Sequence, residues 1–299
     1  MLNLQAVVDS VKKRKQGDRS KHIGLFVCGG NARGAYNAGN FLELHQQGLM
    51  DCFDVVIGQS AGSVVAAYGL AGPEQTEIGS SIFYVEMASE KYFDLGRQEK
   101  QLDIDYIKEV ISYSNSPKRI DRDKILSCRQ LFYTVCQTTK GQIRIFDSKT
   151  VSIFPHLYAS IAYPGLYNGV ERINGEECRD CSITKYPFKE IMETIKGLPI
   201  TDFLILENWP EKTDEKKYTL REEARLGEIL LKKNSIVLKE VVASDHINKK
   251  QLEYIKNLPG INFGIVYPKR VFSKTFTADS DLAKFSINEG RRMIQELFS

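Results

Sequence analysis

Ser60 is the residue whose neighbours best equip it as a nucleophile. It stands third in Gly58-Gln59-Ser60-Ala61-Gly62, after the run Phe53-Asp54-Val55-Val56-Ile57 and before Ser63-Val64-Val65-Ala66-Ala67-Tyr68. That order predicts a strand, a sharp turn and a helix, the setting in which G-x-S-x-G serves as a nucleophile elbow. Gly58 and Gly62 free the backbone to push one hydroxyl out of the fold, with a helix N-terminus behind it. Such a hydroxyl performs acyl transfer, to water or to another acceptor.

Acyl transfer also needs fixed donors where charge develops. Ile23-Gly24-Leu25-Phe26-Val27 reads as a strand, runs into Cys28-Gly29-Gly30-Asn31-Ala32-Arg33-Gly34, and continues as a helix through Phe41, Leu42 and Leu44 to about Gly48. Small residues at that turn let backbone N–H groups converge beside a helix N-terminus that favours negative charge. The rival reading is a nucleotide-phosphate loop, and it fits poorly. The segment has neither G-x-x-x-x-G-K-[ST] nor a clean G-x-G-x-x-G. Arg33 holds the loop, faces a phosphate headgroup, or pairs with a carboxylate on the first helix, the last being favoured. Asp180, taken by itself, reads as a turn or cap residue.

The glycine blocks Gly29-Gly30-Asn31-Ala32-Arg33-Gly34 and Gly58-Gln59-Ser60-Ala61-Gly62 resemble those of the patatin-like phospholipases. In that family G-G-G-x-R-G is followed by G-x-S-x-G, then by A-S-x-A-x-P, then by an aspartate in D-G-[GA]. This chain has Ala159-Ser160-Ile161-Ala162-Tyr163-Pro164 for the third block, and Asp180 with Cys181-Ser182 for the fourth. The resemblance runs from about residue 22 to 210. It implies an α/β protein with a three-layer α/β/α fold, a central, mostly parallel sheet and the elbow at Ser60. It implies a Ser–Asp dyad, with Ser60 as nucleophile and Asp180 as base, rather than a Ser–His–Asp triad. The oxyanion would be held by backbone N–H groups of Gly29, Gly30 and Asn31, with Arg33, Gly34, Gly58 and Gly62 supporting the two motifs. The substrate would be a fatty-acyl ester of a lipid, with no cofactor and no metal.

Two positions depart from the family pattern. Asn31 replaces the third glycine, and Cys181-Ser182 replaces the glycines after the aspartate. Asparagine enters the left-handed backbone region more readily than most side chains, so the turn is expected to survive. Cys181 brings a side chain that is expected to crowd the dyad or alter its access to solvent. These departures keep a second function class in view, a catalytically weak homologue that binds lipid or a partner. An acyltransferase using the same elbow is a third.

Of the four histidines, His246 alone follows both Ser60 and Asp180, the chain order of an α/β-hydrolase triad. It lies in the polar stretch Ser244-Asp245-His246-Ile247-Asn248, which reads as solvated, so a dyad is preferred. Six cysteines occur, at 28, 52, 128, 136, 178 and 181. One C-x-x-C without a second pair or paired histidines does not make a zinc site. A redox switch beside Asp180 is the alternative reading of that pair, and the remaining thiols read as buried and reduced.

The elements around these motifs fill an ordinary globular composition: 299 residues, 42% hydrophobic and 26% charged. The net charge of +3 is too mild for nucleic-acid binding, and no basic, aromatic-interleaved pattern occurs. Three parts are expected: an N-terminal basic helix over 1–21, a catalytic domain over 22–210 and a helical/αβ extension over 211–299. In the first, Leu4, Val7, Val8 and Val11 share a face ahead of Lys12-Lys13-Arg14-Lys15, which reads as a helix packed on the domain and ending in a solvated basic turn. A basic amphipathic helix on a membrane surface is the alternative. Met1 to Lys21 has no signal-peptide core, so the cytoplasm is expected, with peripheral membrane contact compatible. Val55 to Pro73 is free of charge, yet the elbow within it makes a buried strand and helix the better reading than a membrane span.

Residues 74–125 read as mainly helical, a lid or substrate wall bearing Phe83, Tyr84, Tyr92, Phe93 and Tyr106. Strands are expected over 131–136 and 142–146 about a turn at Lys140-Gly141, and over 202–206 and 261–267. Helices are expected after the charged loop 211–217 to about Lys256, and over 281–298.

Overall fold

Strands buried on both faces cannot alternate polar with apolar residues, and must read as continuous apolar runs. Ile23–Val27 (β1), Val55–Gln59 (β2) and Asp202–Leu206 (β7) do so, and every residue in them is buried. The remaining strands are Leu131–Thr138 (β3), Ile143–Asp147 (β4), Glu171–Ile173 (β5), Glu176–Arg179 (β6) and Asn262–Val266 (β8). All eight join one sheet in the order β5-β6-β3-β2-β1-β7-β8, with β4 also paired to β3. The five strands β3-β2-β1-β7-β8 are parallel to one another, while β4 and β6 run antiparallel to β3. The computed structural model describes residues 2–94, 96–97, 100–167, 169–181, 187–211, 249–270 and 279–299.

Helices cover both faces. On one lie Leu4–Lys15 (α1), Gly34–Gln46 (α2), Ala61–Leu70 (α3), Pro73–Val85 (α4), Ile104–Ser112 (α5), Arg122–Ser127 (α6), Ile153–Ile161 (α7) and the C-terminal helix Ser280–Phe298. On the other lie Phe188–Thr194 (α8) and the helical residues 249–257, over Phe26, Phe203 and Phe263. This is the three-layer α/β/α arrangement, built on a mixed sheet of mostly parallel strands.

The strand expected over 202–206 has those bounds, the one expected over 261–267 is β8, and the last helix begins one residue early. The strands about Lys140-Gly141 are β3 and β4. Residues 212–217 of the charged loop and most of the helices expected after it lie outside the described residues, as does His246. β8 extends the same sheet as β7, and the C-terminal helix packs on α2 through two glycines. A Cβ at Gly39 would land on the Ile287 carbonyl, and one at Gly290 on the Tyr36 carbonyl, so these helices meet backbone to backbone.

α1 buries Val7, Val8 and Val11 against the fold. Its basic end is not uniformly solvated, which corrects the sequence expectation. Arg14 turns inward, donating to Asp54 at 2.5 Å and to the Lys21 carbonyl at 2.6 Å. Among the described residues no helix is long and apolar enough to cross a membrane.

Candidate active site

β1 and β2 are parallel neighbours with Val27 opposite Gly58, so the turns that follow them open at one carboxyl edge of the sheet. Ligands of α/β folds bind at such edges. Ser60 follows β2 directly and begins α3. Its backbone sits at φ 53° and ψ −133°, a region that costs a non-glycine residue about 1–3 kcal/mol.

Close packing enforces this conformation. A Cβ at Gly58 would strike the Ser63 backbone, and one at Gly62 would strike the Val27 carbonyl of β1. The Ser60 N–H donates to Ser160 Oγ at 2.9 Å, and that hydroxyl donates onward to the Val135 carbonyl at 2.8 Å. The Ser60 carbonyl accepts from the Ser63 N–H at 2.9 Å and from the Ser63 hydroxyl at 2.6 Å. With both backbone groups of Ser60 held, its hydroxyl donates to Asp180 Oδ2 at 2.7 Å.

A hairpin delivers Asp180. β5 and β6 are joined by Asn174-Gly175, whose φ values of 52° and 82° are those of a two-residue turn with both centres left-handed. β6 pairs with the end of β3, and Asp180 follows it, its N–H donating to the Ala162 carbonyl at 3.1 Å. Asp180 is 1% exposed and Ser60 7%.

The glycine loop packs directly on the nucleophile, since a Cβ at Gly29 would strike Ser60 Cβ. Its carbonyls are drawn the other way. Asn208 Nδ2 donates to the Gly29 and Cys28 carbonyls at 2.9 and 3.2 Å, and Asn37 Nδ2 to the Cys28 carbonyl at 3.0 Å. Among the described residues the N–H groups of Gly29, Gly30 and Asn31 find no acceptor. Asn31 holds φ 52°, the left-handed turn expected of it. Its Oδ1 accepts the Tyr92 hydroxyl at 2.7 Å, and its Nδ2 is buried without a partner among the described residues. Arg33 stacks its guanidinium 4.0 Å over the Trp209 ring centroid, a contact that braces the loop. Gly34 brings α2 close to Phe83 and Ala61.

Cys181 is not among the residues that line the pocket with Ser60 and Asp180, and its side chain is fully buried with Phe26, Cys28 and Phe188. Gln59 Nε2 donates to its carbonyl and to its sulfur, each at 3.3 Å. Burial, and then the Asp180 charge, push its thiol well above the usual range. Cys178 packs with Cys136, Ala159 and Ile173, and no disulfide joins any of the six cysteines. Cys128 is half-buried rather than buried. Among the described residues no group of three metal-ligating side chains occurs. His22 lies 3.5 Å from Asp54, His45 bonds the Gly69 carbonyl and His156 bonds Ser148.

Ser60 and Asp180 open into a narrow pocket walled by Val64, Ile82, Phe83, Met87, Leu102 and Ile161. Asn31, Tyr92 and Tyr163 add polar atoms. Of the aromatics expected as a substrate wall, Phe83 and Tyr92 line it. Sequence reasoning missed the positioning roles of Ser160, Asn208 and Asn37. The Asn-Gly pair at 174–175 could have found the hairpin that carries Asp180.

A family model described as patatin-like phospholipase matches residues 25–189. Among solved structures the chain is similar to VipD from Legionella pneumophila, with 12% identity and a TM-score of 0.48 over 93% of this chain and 67% of that one. It is also similar to ExoU of the Pseudomonas aeruginosa type III secretion system, solved with SpcU, with 15% identity and a TM-score of 0.32 over 81% of this chain and 54% of that one. The chain thus spans between about half and two thirds of these proteins. No curated protein matches it.

Proposed function

The chain belongs to the patatin-like phospholipase family, and on that footing we propose that it is a serine acyl hydrolase cleaving fatty-acyl esters of lipids through a Ser60–Asp180 dyad. The carrying observation is the 2.7 Å bond from Ser60 Oγ to Asp180 Oδ2, set between unpartnered loop amides and an apolar pocket. The pocket takes the acyl chain and presents the ester carbonyl to Ser60. As Ser60 Oγ attacks the carbonyl carbon, its proton passes to Asp180. The tetrahedral oxyanion is stabilised by the N–H groups of Gly29, Gly30 and Asn31 and by the N-terminus of α3. Collapse expels the alcohol, which takes the proton from Asp180, and leaves an acyl ester on Ser60. Water then attacks with Asp180 again taking the proton, and fatty acid is released.

Burial of Asp180 suits it to the role, because a carboxylate removed from water is a stronger base. Six cysteines without a disulfide support a reducing, cytoplasmic compartment, from which the protein would reach lipid at a membrane surface. The test is hydrolysis of p-nitrophenyl acyl esters and of phosphatidylcholine vesicles by wild type, Ser60→Ala and Asp180→Asn. Wild type is expected to turn over, and each variant to lose at least about 10³-fold in kcat while remaining folded. Activity that survives in Ser60→Ala would refute the reading. Adding glycerol as acceptor and analysing products separates hydrolysis from acyl transfer.

A further inference from the structure

We infer that the side-chain amide of Asn31, positioned by Tyr92, is a donor of the oxyanion hole in its own right, additional to the backbone N–H groups of the loop. The inference rests on the hydrolase reading above. It concerns one of the places where this chain departs from the glycines of its family.

Four observations converge on that amide. Asn31 is 8% exposed and lines the pocket together with Ser60 and Asp180. Its Oδ1 is already engaged by the Tyr92 hydroxyl at 2.7 Å, which fixes the end of the amide that carries the NH2 group. That nitrogen finds no acceptor among the described residues. Buried amide donors are seldom left unmet, and those that are call for a reason. Here the missing acceptor is one that substrate brings: an ester carbonyl oxygen, which gains negative charge as Ser60 attacks.

The turn does not need asparagine. A glycine would adopt φ 52° without strain, so the side chain is superfluous to the backbone. Tyr92 has no other hydroxyl partner among the described residues, and burial, then the nearby Asp180 charge, keep its phenol protonated. It can therefore act as a constant donor to Oδ1 and hold the amide at a fixed angle. A neutral N–H bonds an oxyanion more strongly than a neutral carbonyl, so the contribution belongs to the transition state.

The test compares wild type, Asn31→Gly, Tyr92→Phe and the double variant on the same p-nitrophenyl esters and phosphatidylcholine vesicles, with thermal melts to verify folding. Asn31→Gly is expected to fold and to lose about 10²-fold in kcat, with KM changed less than about twofold. Tyr92→Phe is expected to lose about tenfold in kcat, and the double variant to be no worse than Asn31→Gly alone. Wild-type kcat in Asn31→Gly would overturn the inference and leave the hydrolase reading intact. So would a Tyr92→Phe loss of equal size with and without Asn31. Wild-type turnover that does not depend on Ser60 would overturn the hydrolase reading, and the inference with it.

Discussion

Replacing Ser160 by alanine probes what holds the nucleophile in its strained backbone. Ser160 is fully buried and its hydroxyl does two jobs, accepting the Ser60 N–H and donating to the Val135 carbonyl. Alanine leaves the Ser60 N–H without its acceptor and takes one donor from the Val135 carbonyl. Each such group costs about 1–3 kcal/mol, and partial relaxation brings the pair to about 2–4 kcal/mol. For a chain of this size that lowers Tm by roughly 4–8 °C. The elbow also loses a restraint, and misplacing a nucleophile by ~1 Å costs about 10²-fold, so kcat is expected to fall between about 10- and 100-fold. Ser63→Ala supplies the comparison. The Ser63 hydroxyl also bonds Ser60, at its carbonyl, but that carbonyl keeps the Ser63 N–H. The expected loss there is about 0.5–1.5 kcal/mol. Thermal unfolding and ester hydrolysis of both variants decide the matter. Equal losses in the two, or a Ser160→Ala protein as stable and as active as wild type, would refute the reasoning.

Asn208→Ala should free the Gly29 carbonyl, while the Cys28 carbonyl keeps Asn37, and lower kcat by more than about tenfold, read by steady-state kinetics and by slower fluorophosphonate labelling of Ser60. Gly290→Ala drives a methyl group into the Tyr36 carbonyl, where neither backbone can yield. A loss of about 3 kcal/mol is expected in urea unfolding, and an unchanged midpoint would contradict the backbone contact. Asp105 provides a pH signature. Burial works to raise its carboxyl, but hydrogen bonds from Lys100, Tyr167 and Lys108 outweigh burial and bring it down to about 2 from 3.8. Its stabilising effect is therefore present above about pH 4 and lost as pH falls through about 2. The Tm gap between wild type and Asp105→Asn should narrow across that interval, and added salt should shrink it, since the side chain is 42% exposed.

How far the fold was legible depended on which residues carry each element. The central strands β1, β2 and β7 could be read because a parallel strand covered on both faces is apolar throughout. The β5–β6 hairpin could not be read from periodicity. Glu171, Arg172, Glu176 and Glu177 hide its alternation, although Asn174-Gly175 marks the turn. Arg14 was taken with its basic neighbours as one solvated run, yet it continues the stripe of Val7 and Val11 at helical spacing and so points inward. Cys181 follows the site aspartate in sequence, yet its side chain joins the cluster of Phe26, Cys28 and Phe188 and not the residues that line the pocket. Ser60 and the glycine loop were legible as motifs. Asn208 was not, because its partners Cys28 and Gly29 are about 180 residues away in sequence and nothing local marks them.

The glycine contact between α2 and the C-terminal helix bears on the order in which the molecule is made. α2 begins where the glycine loop ends, at Gly34, and the helix that braces it spans Ser280–Phe298. Contacts so distant in sequence close late in folding, and a growing chain presents its N-terminal segments first. A nascent chain therefore holds Ser60 and Asp180 well before it can clamp the loop that faces them. The loop beside the pocket is thus braced by a helix that contributes no side chain to the pocket itself.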